Sequence, residues 1–201
     1  MHTVTTRGNA MRQENWSSAS AHWRRLVWLG LLISGSVAFS LGLACATPFA
    51  AFAAAAALTL SRRDALVLVT SVWFANQLVG FTVLHYPWTA NAFAWGVALG
   101  VVAVLATLAS EWAVERSAAA ARVFRFTVTF LLAFVVYETA LFALSIGLLG
   151  GAEVFTGAIQ GRIFVINAAA FIGLLALNRL AATVGLVANT GSTLSAAARS
   201  A

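Results

Sequence analysis

Long apolar runs, broken by short polar or arginine-bearing segments, fill most of the chain between residues 26 and 180. They cover approximately 26–43, 46–60, 65–84, 91–110, 123–149 and 155–180. Most approach the roughly 20 residues an α-helix needs to cross about 30 Å of hydrocarbon. The pattern predicts an all-α fold, a polytopic transmembrane helical bundle of six spans. It also sets the domain plan: a polar N-terminal arm over 1–25, a transmembrane domain over 26–185, and a flexible tail over 186–201, rich in Ala, Ser, Thr and Asn.

Composition agrees with this pattern. Of 201 residues 61% are hydrophobic and 9% charged, whereas a soluble domain carries roughly 25% charged residues. The arginines set the expected orientation. Arg7, Arg12, Arg24 and Arg25 precede the first span, Arg62 and Arg63 divide the second from the third, Arg116, Arg122 and Arg125 lie around the start of the fifth, and Arg179 and Arg199 close the chain. Only Arg162 falls on the other side. Short loops that keep their positive charge stay in the cytoplasm, so both termini are expected there, in a multi-pass protein of the bacterial cytoplasmic (inner) membrane.

The net charge of +6 comes from arginine without any lysine. Anionic lipid on the cytoplasmic side of the bilayer accounts for it, and no extramembrane stretch is long enough to build a reader of nucleic acid. A single cysteine, Cys45, excludes an internal disulfide and a thiolate-rich metal cluster. Residues 44–46, Ala-Cys-Ala, have the small side chains of a signal-peptidase site. More apolar sequence follows at once, so a helical hairpin turning at Thr47-Pro48 is expected instead.

Polar residues inside the apolar runs carry the candidate chemistry. Glu138 stands alone in the run Thr127 to Leu149. An ionisable group at bilayer depth costs about 2.5–3.5 kcal/mol on insertion scales and needs a partner, a cavity or a proton. Counting from the run's ends places it near the midplane, where Asn167, Asn76 or Gln77 could be its partner. Arg162 is expected some 10–15 Å farther outward by helical rise. In the third span Trp73, Asn76, Gln77 and Gly80 fall on one side at 100° per residue, and these amides and indole could bind a polar ligand or hold helices together. The following turn, His85-Tyr86-Pro87-Trp88, supplies an imidazole and an interfacial aromatic belt. A polar centre among spans three, five and six follows, with Trp73, Asn76, Gln77, His85, Tyr86, Trp88, Glu138 and Asn167 as candidate substrate-binding residues.

Small residues suit close helix contact: Gly96 and Gly100, Gly157 and Gly161, and Ala50, Ala54 and Ala57. The stretch Glu111 to Arg122 reads as helix continuing into or along the cytoplasmic surface. What is missing also narrows the choice. Without lysine there is no retinal Schiff base, and CxxC, HExxH, GxSxG and glycine-rich phosphate loops are absent. No catalytic residue, metal or cofactor is therefore expected of this chain.

The segment Pro48 to Trp88, with its alanine-rich helix, Ser61-Arg62-Arg63 turn, Trp73, Asn76, Gln77 and Tyr86-Pro87-Trp88, resembles the substrate-binding components of energy-coupling-factor vitamin transporters. The resemblance implies a vitamin-like solute bound from outside and a separate ATPase module that energises transport. In that family an alanine-xxx-alanine surface of the first helix meets the coupling subunit, whereas here such a surface lies in the second span. The sequence thus favours a small-solute binding or transport subunit. The alternative is a non-catalytic subunit or assembly factor of a larger membrane complex.

Overall fold

A computed structural model describes residues 23–38 and 47–184. Residues 1–22, 39–46 and 185–201 lie outside the described residues, and with them Cys45, most of the N-terminal arm and all of the tail. The chain divides into two compact units, one formed by Ile33–Leu177 and one by Met1–Leu32 with Asn178–Ala201. In the second of these, Trp28, Leu29, Leu32 and Ala181 are buried. Helix α1 is described over residues 23–38.

The larger unit carries the rest of the fold. Its helices are α2 (Phe49–Thr59), α3 (Arg62–Thr82), α4 (Ala90–Arg116), α5 (Arg122–Leu144, prolonged by a π turn at Ser145–Leu149) and α6 (from Gly157, running on to Thr183). Among the described residues all regular structure is helical. Four helices, α3, α4, α5 with its π turn, and α6, are long and apolar enough to cross a bilayer. This is the build of a multi-pass membrane protein.

Local chemistry sets several helix ends. The Ser61 hydroxyl accepts the Asp64 N–H (3.3 Å) at the start of α3, and the Thr89 hydroxyl accepts the Ala92 N–H (3.2 Å) at the start of α4. After α3, His85 takes a left-handed backbone (φ 55°) and Tyr86 N–H returns to the Gly80 carbonyl (3.0 Å). Gly150 and Gly151, at φ 75° and 92°, end the π turn after α5. The alanine-rich stretch after Arg116 forms a turn, not the expected helical continuation. Ser117 N–H bonds back to the Ala113 carbonyl (2.9 Å) and closes α4 there.

Helix α2 differs most from its predicted span. It is 11 residues long, about 16 Å at the usual rise, and alone it cannot cross the hydrocarbon. Every residue from Phe49 to Ala56 is buried, and Ala50, Ala51, Ala53 and Ala54 are 0% exposed. Alanine on all sides makes a narrow rod that neighbours can approach closely, and α3, α4 and α5 all pack against it.

The long helices run antiparallel in fixed registers. Arg62 meets Glu111, Trp73 meets Gly100, and Gln77 meets Gly96. Eleven residues separate Arg62 from Trp73 and eleven separate Gly100 from Glu111, so one register covers most of the α3–α4 contact. Between α5 and α6, Phe130 stacks on Phe171 (5.0 Å between centroids) and Phe134 meets Phe164 edge-on (5.1 Å). Val97, Val101 and Leu105 of α4, Val135 and Phe142 of α5, and Val165 and Ile172 of α6 point outward, as lipid requires.

Candidate functional site

The polar face of α3 is turned inward against glycine. Trp73 donates its indole N–H to the Gly96 carbonyl (2.7 Å) and lies over Gly100, where an added Cβ would sit 2.7 Å from the ring. The Gln77 carboxamide lies over Gly96, and an added Cβ there would be 2.6 Å from its oxygen. Gln77 Nε2 is buried without a hydrogen-bond partner. Asn76, one residue earlier, is buried and turns toward α2, its Oδ1 accepting the Thr47 hydroxyl (2.9 Å). Two amides adjacent in sequence thus hold two different neighbours.

Asn167 serves α2 from the other side. Its Oδ1 accepts the Ala51 N–H (3.2 Å), and its Nδ2 donates to the Ile163 carbonyl (3.0 Å). Thr47 and Asn167 are both buried. A helix start leaves its first N–H groups without intrahelical acceptors. Here one of them is satisfied by a side chain from α6, and the residue before the cap is held by one from α3. The Tyr137 ring of α5 packs on Phe49 (6.1 Å). The first turn of α2 therefore sits inside a shell made by Asn76, Tyr137 and Asn167.

Glu138 is not a member of that shell. It is half-buried on the seam between α5 and α6, where the Gln160 side chain lies beside its carboxylate. The Phe134–Phe164 contact sets this pairing, because one turn farther along α5 and one turn back along α6 bring Glu138 opposite Gln160. Of the expected partners, Asn76 and Asn167 hydrogen-bond elsewhere and Gln77 lies against Gly96. The register also corrects the place of Arg162. It lies two residues beyond Gln160, about 3 Å along the axis and not 10–15 Å outward, and it is exposed on a different face of α6.

The turn after α3 holds the remaining candidates. Tyr86 packs into the space left by Gly80, where an added Cβ would be within 2.6 Å of its ring, and sits edge-on to Phe81 (5.8 Å). Phe81 stacks on Phe93 (4.7 Å), and Trp88, 76% exposed, lies edge-on to both. His85 is exposed. The structure thus divides the eight predicted residues among three places: the α2 shell with its α3–α4 buttress, the α5–α6 seam, and the aromatic turn.

No protein-family model, curated protein or solved structure matches this chain. Its chemistry has to be read from its own geometry. Among the described residues no group of three or more His, Cys, Asp or Glu could hold a metal ion. The polar contacts unforeseen in the sequence are Thr47 to Asn76, Ala51 to Asn167, and the ion pair of Arg62 with Glu111 (3.2 Å). Helical spacing had a signal for the last of these, since both residues are charged and flank adjacent spans. It had none for the other two, because a backbone N–H and a threonine have no distinctive pattern.

Proposed function

We propose that this chain is a non-enzymatic small-solute binding or transport subunit of the bacterial cytoplasmic membrane, with six crossings and both termini cytoplasmic, the short α2 forming only the cytoplasmic part of the second crossing. The observation that carries the reading is the start of α2. At Pro48 a helix begins within the bundle, level with Asn76. That is fourteen residues along α3 from Arg62, or about 21 Å. Discontinuous helices of this kind build solute sites in secondary transporters, where their exposed backbone groups take the place of water around a polar solute. Thr47, Asn76, Tyr137 and Asn167 would line that end, and Glu138 with Gln160 would offer a carboxylate and an amide nearer the α5–α6 connection.

The resemblance to vitamin-binding components of energy-coupling-factor transporters belongs to the same reading. It assigns ATP hydrolysis to a separate module that would dock on the arginine-bearing end. Glu138→Gln tests the solute role: uptake, affinity or their pH dependence should change, and unchanged values in all three count against it.

A second reading, a structural subunit of a larger membrane complex, is supported by Gly157 and Gly161. Nothing lies within 4 Å of a Cβ built at either, so among the described residues this small-residue surface meets no neighbour and could take another helix. Purification in gentle detergent separates the two, since a stable heteromeric assembly without bound solute favours the second.

A further inference from the structure

The first turn of α5 gathers positive charge that nothing among the described residues offsets. Helix α5 starts at Arg122 with Ala121 as its cap; no side chain caps it, and no acidic residue lies in its first turn. A helix N-terminus already carries the positive end of the backbone dipole, and acidic residues are what normally stabilise it. Here the same turn carries Arg122 and Arg125. Among the described residues neither forms an ion pair, and the exposed Glu115 at the end of α4 makes none with them. Nε of Arg125 is buried without a hydrogen-bond partner.

A second, independent observation lies one turn deeper. Thr129 is 0% exposed, and its hydroxyl has no partner. Buried Thr107, Ser110 and Ser117 of α4 each return their hydroxyl to the carbonyl four residues earlier; Thr129 does not. Residues four apart share a helix face, and side chains lean toward the N-terminus, so the Thr129 hydroxyl leans toward the turn that bears Arg125. Two donors about 6 Å apart along the axis can be joined by two oxygens of a single phosphate, with hydrogen bonds of about 2.8 Å at each end.

We propose that Arg122, Arg125 and Thr129 form a binding site for the phosphate of an anionic membrane phospholipid. The place selects lipid over free phosphate. Arg122 begins one of the membrane-crossing segments, which puts the two arginines at headgroup level and Thr129 just inside them. A guanidinium edge and a helix N-terminus are both established phosphate-binding groups. The site does not depend on the solute reading.

The test uses the full chain in nanodiscs of phosphatidylcholine with and without phosphatidylglycerol. Native mass spectrometry then counts lipids retained after release. The wild type should retain phosphatidylglycerol over phosphatidylcholine. Arg125→Gln should lower that retention about tenfold and Thr129→Val about fivefold, the values expected for one charge-assisted and one neutral hydrogen bond. Thr129→Ser should restore it. Thr129→Val keeps the side-chain shape and decides the matter even if Arg125→Gln does not fold. Unchanged retention in Thr129→Val overturns the proposal, as does displacement of the lipid by inorganic phosphate.

Discussion

Gly100→Ala probes the α3–α4 seam at its tightest point. The new Cβ would stand 2.7 Å from Cε2, 2.8 Å from Nε1 and 3.0 Å from Cδ2 of Trp73, whereas carbon atoms settle at about 3.5–4.0 Å. The indole must retreat by about 1 Å, and the retreat stretches its 2.7 Å hydrogen bond to the Gly96 carbonyl. Overpacking of this kind costs about 1–3 kcal/mol, and a hydrogen bond between membrane helices adds about 0.6 kcal/mol. Replacing helical glycine by alanine returns up to about 1 kcal/mol. The net expectation is a loss of about 1–3 kcal/mol.

Gly161→Ala supplies the control. Nothing lies within 4 Å of its Cβ, so only the helix gain remains and stability should be unchanged or slightly higher. Reversible unfolding in mixed detergent micelles, followed by circular dichroism, should separate the two variants by about 2 kcal/mol. Trp73→Phe introduced into Gly100→Ala should recover part of the loss, because the smaller ring gives room and has no N–H to strand. If the two alanine variants unfold alike, the α3–α4 register is wrong.

Three further outcomes follow from the polar contacts. Asn167→Leu removes the acceptor of the buried Ala51 N–H and should destabilise the bundle by about 1–3 kcal/mol, with hydrogen exchange at the start of α2 rising before that of α3; protection unchanged at Ala51 would refute the latch. The Arg62–Glu111 pair joins a side chain 70% exposed to one 11% exposed, so a double-mutant cycle with Arg62→Gln and Glu111→Gln should give a coupling below about 1 kcal/mol that weakens with salt. A coupling several times larger would mean the pair is shielded from water. Gln160→Leu removes the amide beside Glu138 and should alter solute affinity as Glu138→Gln does, measured on the same preparation; a change confined to one of the two would separate their roles.

Much of the architecture is legible in hydrophobicity alone. The runs at 65–84, 91–110, 123–149 and 155–180 correspond to α3 to α6 within a few residues, because a membrane-crossing helix is defined by length and apolarity. The run at 46–60 misled for a physical reason. Alanine is apolar enough to read as a span, yet a helix that short is buried by its neighbours and not by lipid. The interior face of α3 was also readable, since Trp73, Gln77 and Gly80 do share an inward side. The partners were not. Depth along the run pairs Glu138 with amides, while its real neighbour follows from the Phe134–Phe164 contact, and such a register depends on how two particular surfaces interlock.

The most direct test of the functional account is native mass spectrometry of the chain released from its own membranes, scored for small polar molecules that remain bound. The account predicts a solute retained by the wild type, and lost or weakened in Glu138→Gln and Asn76→Ala. A chain that holds no solute in any preparation, and emerges instead in a fixed complex with other membrane subunits, contradicts it.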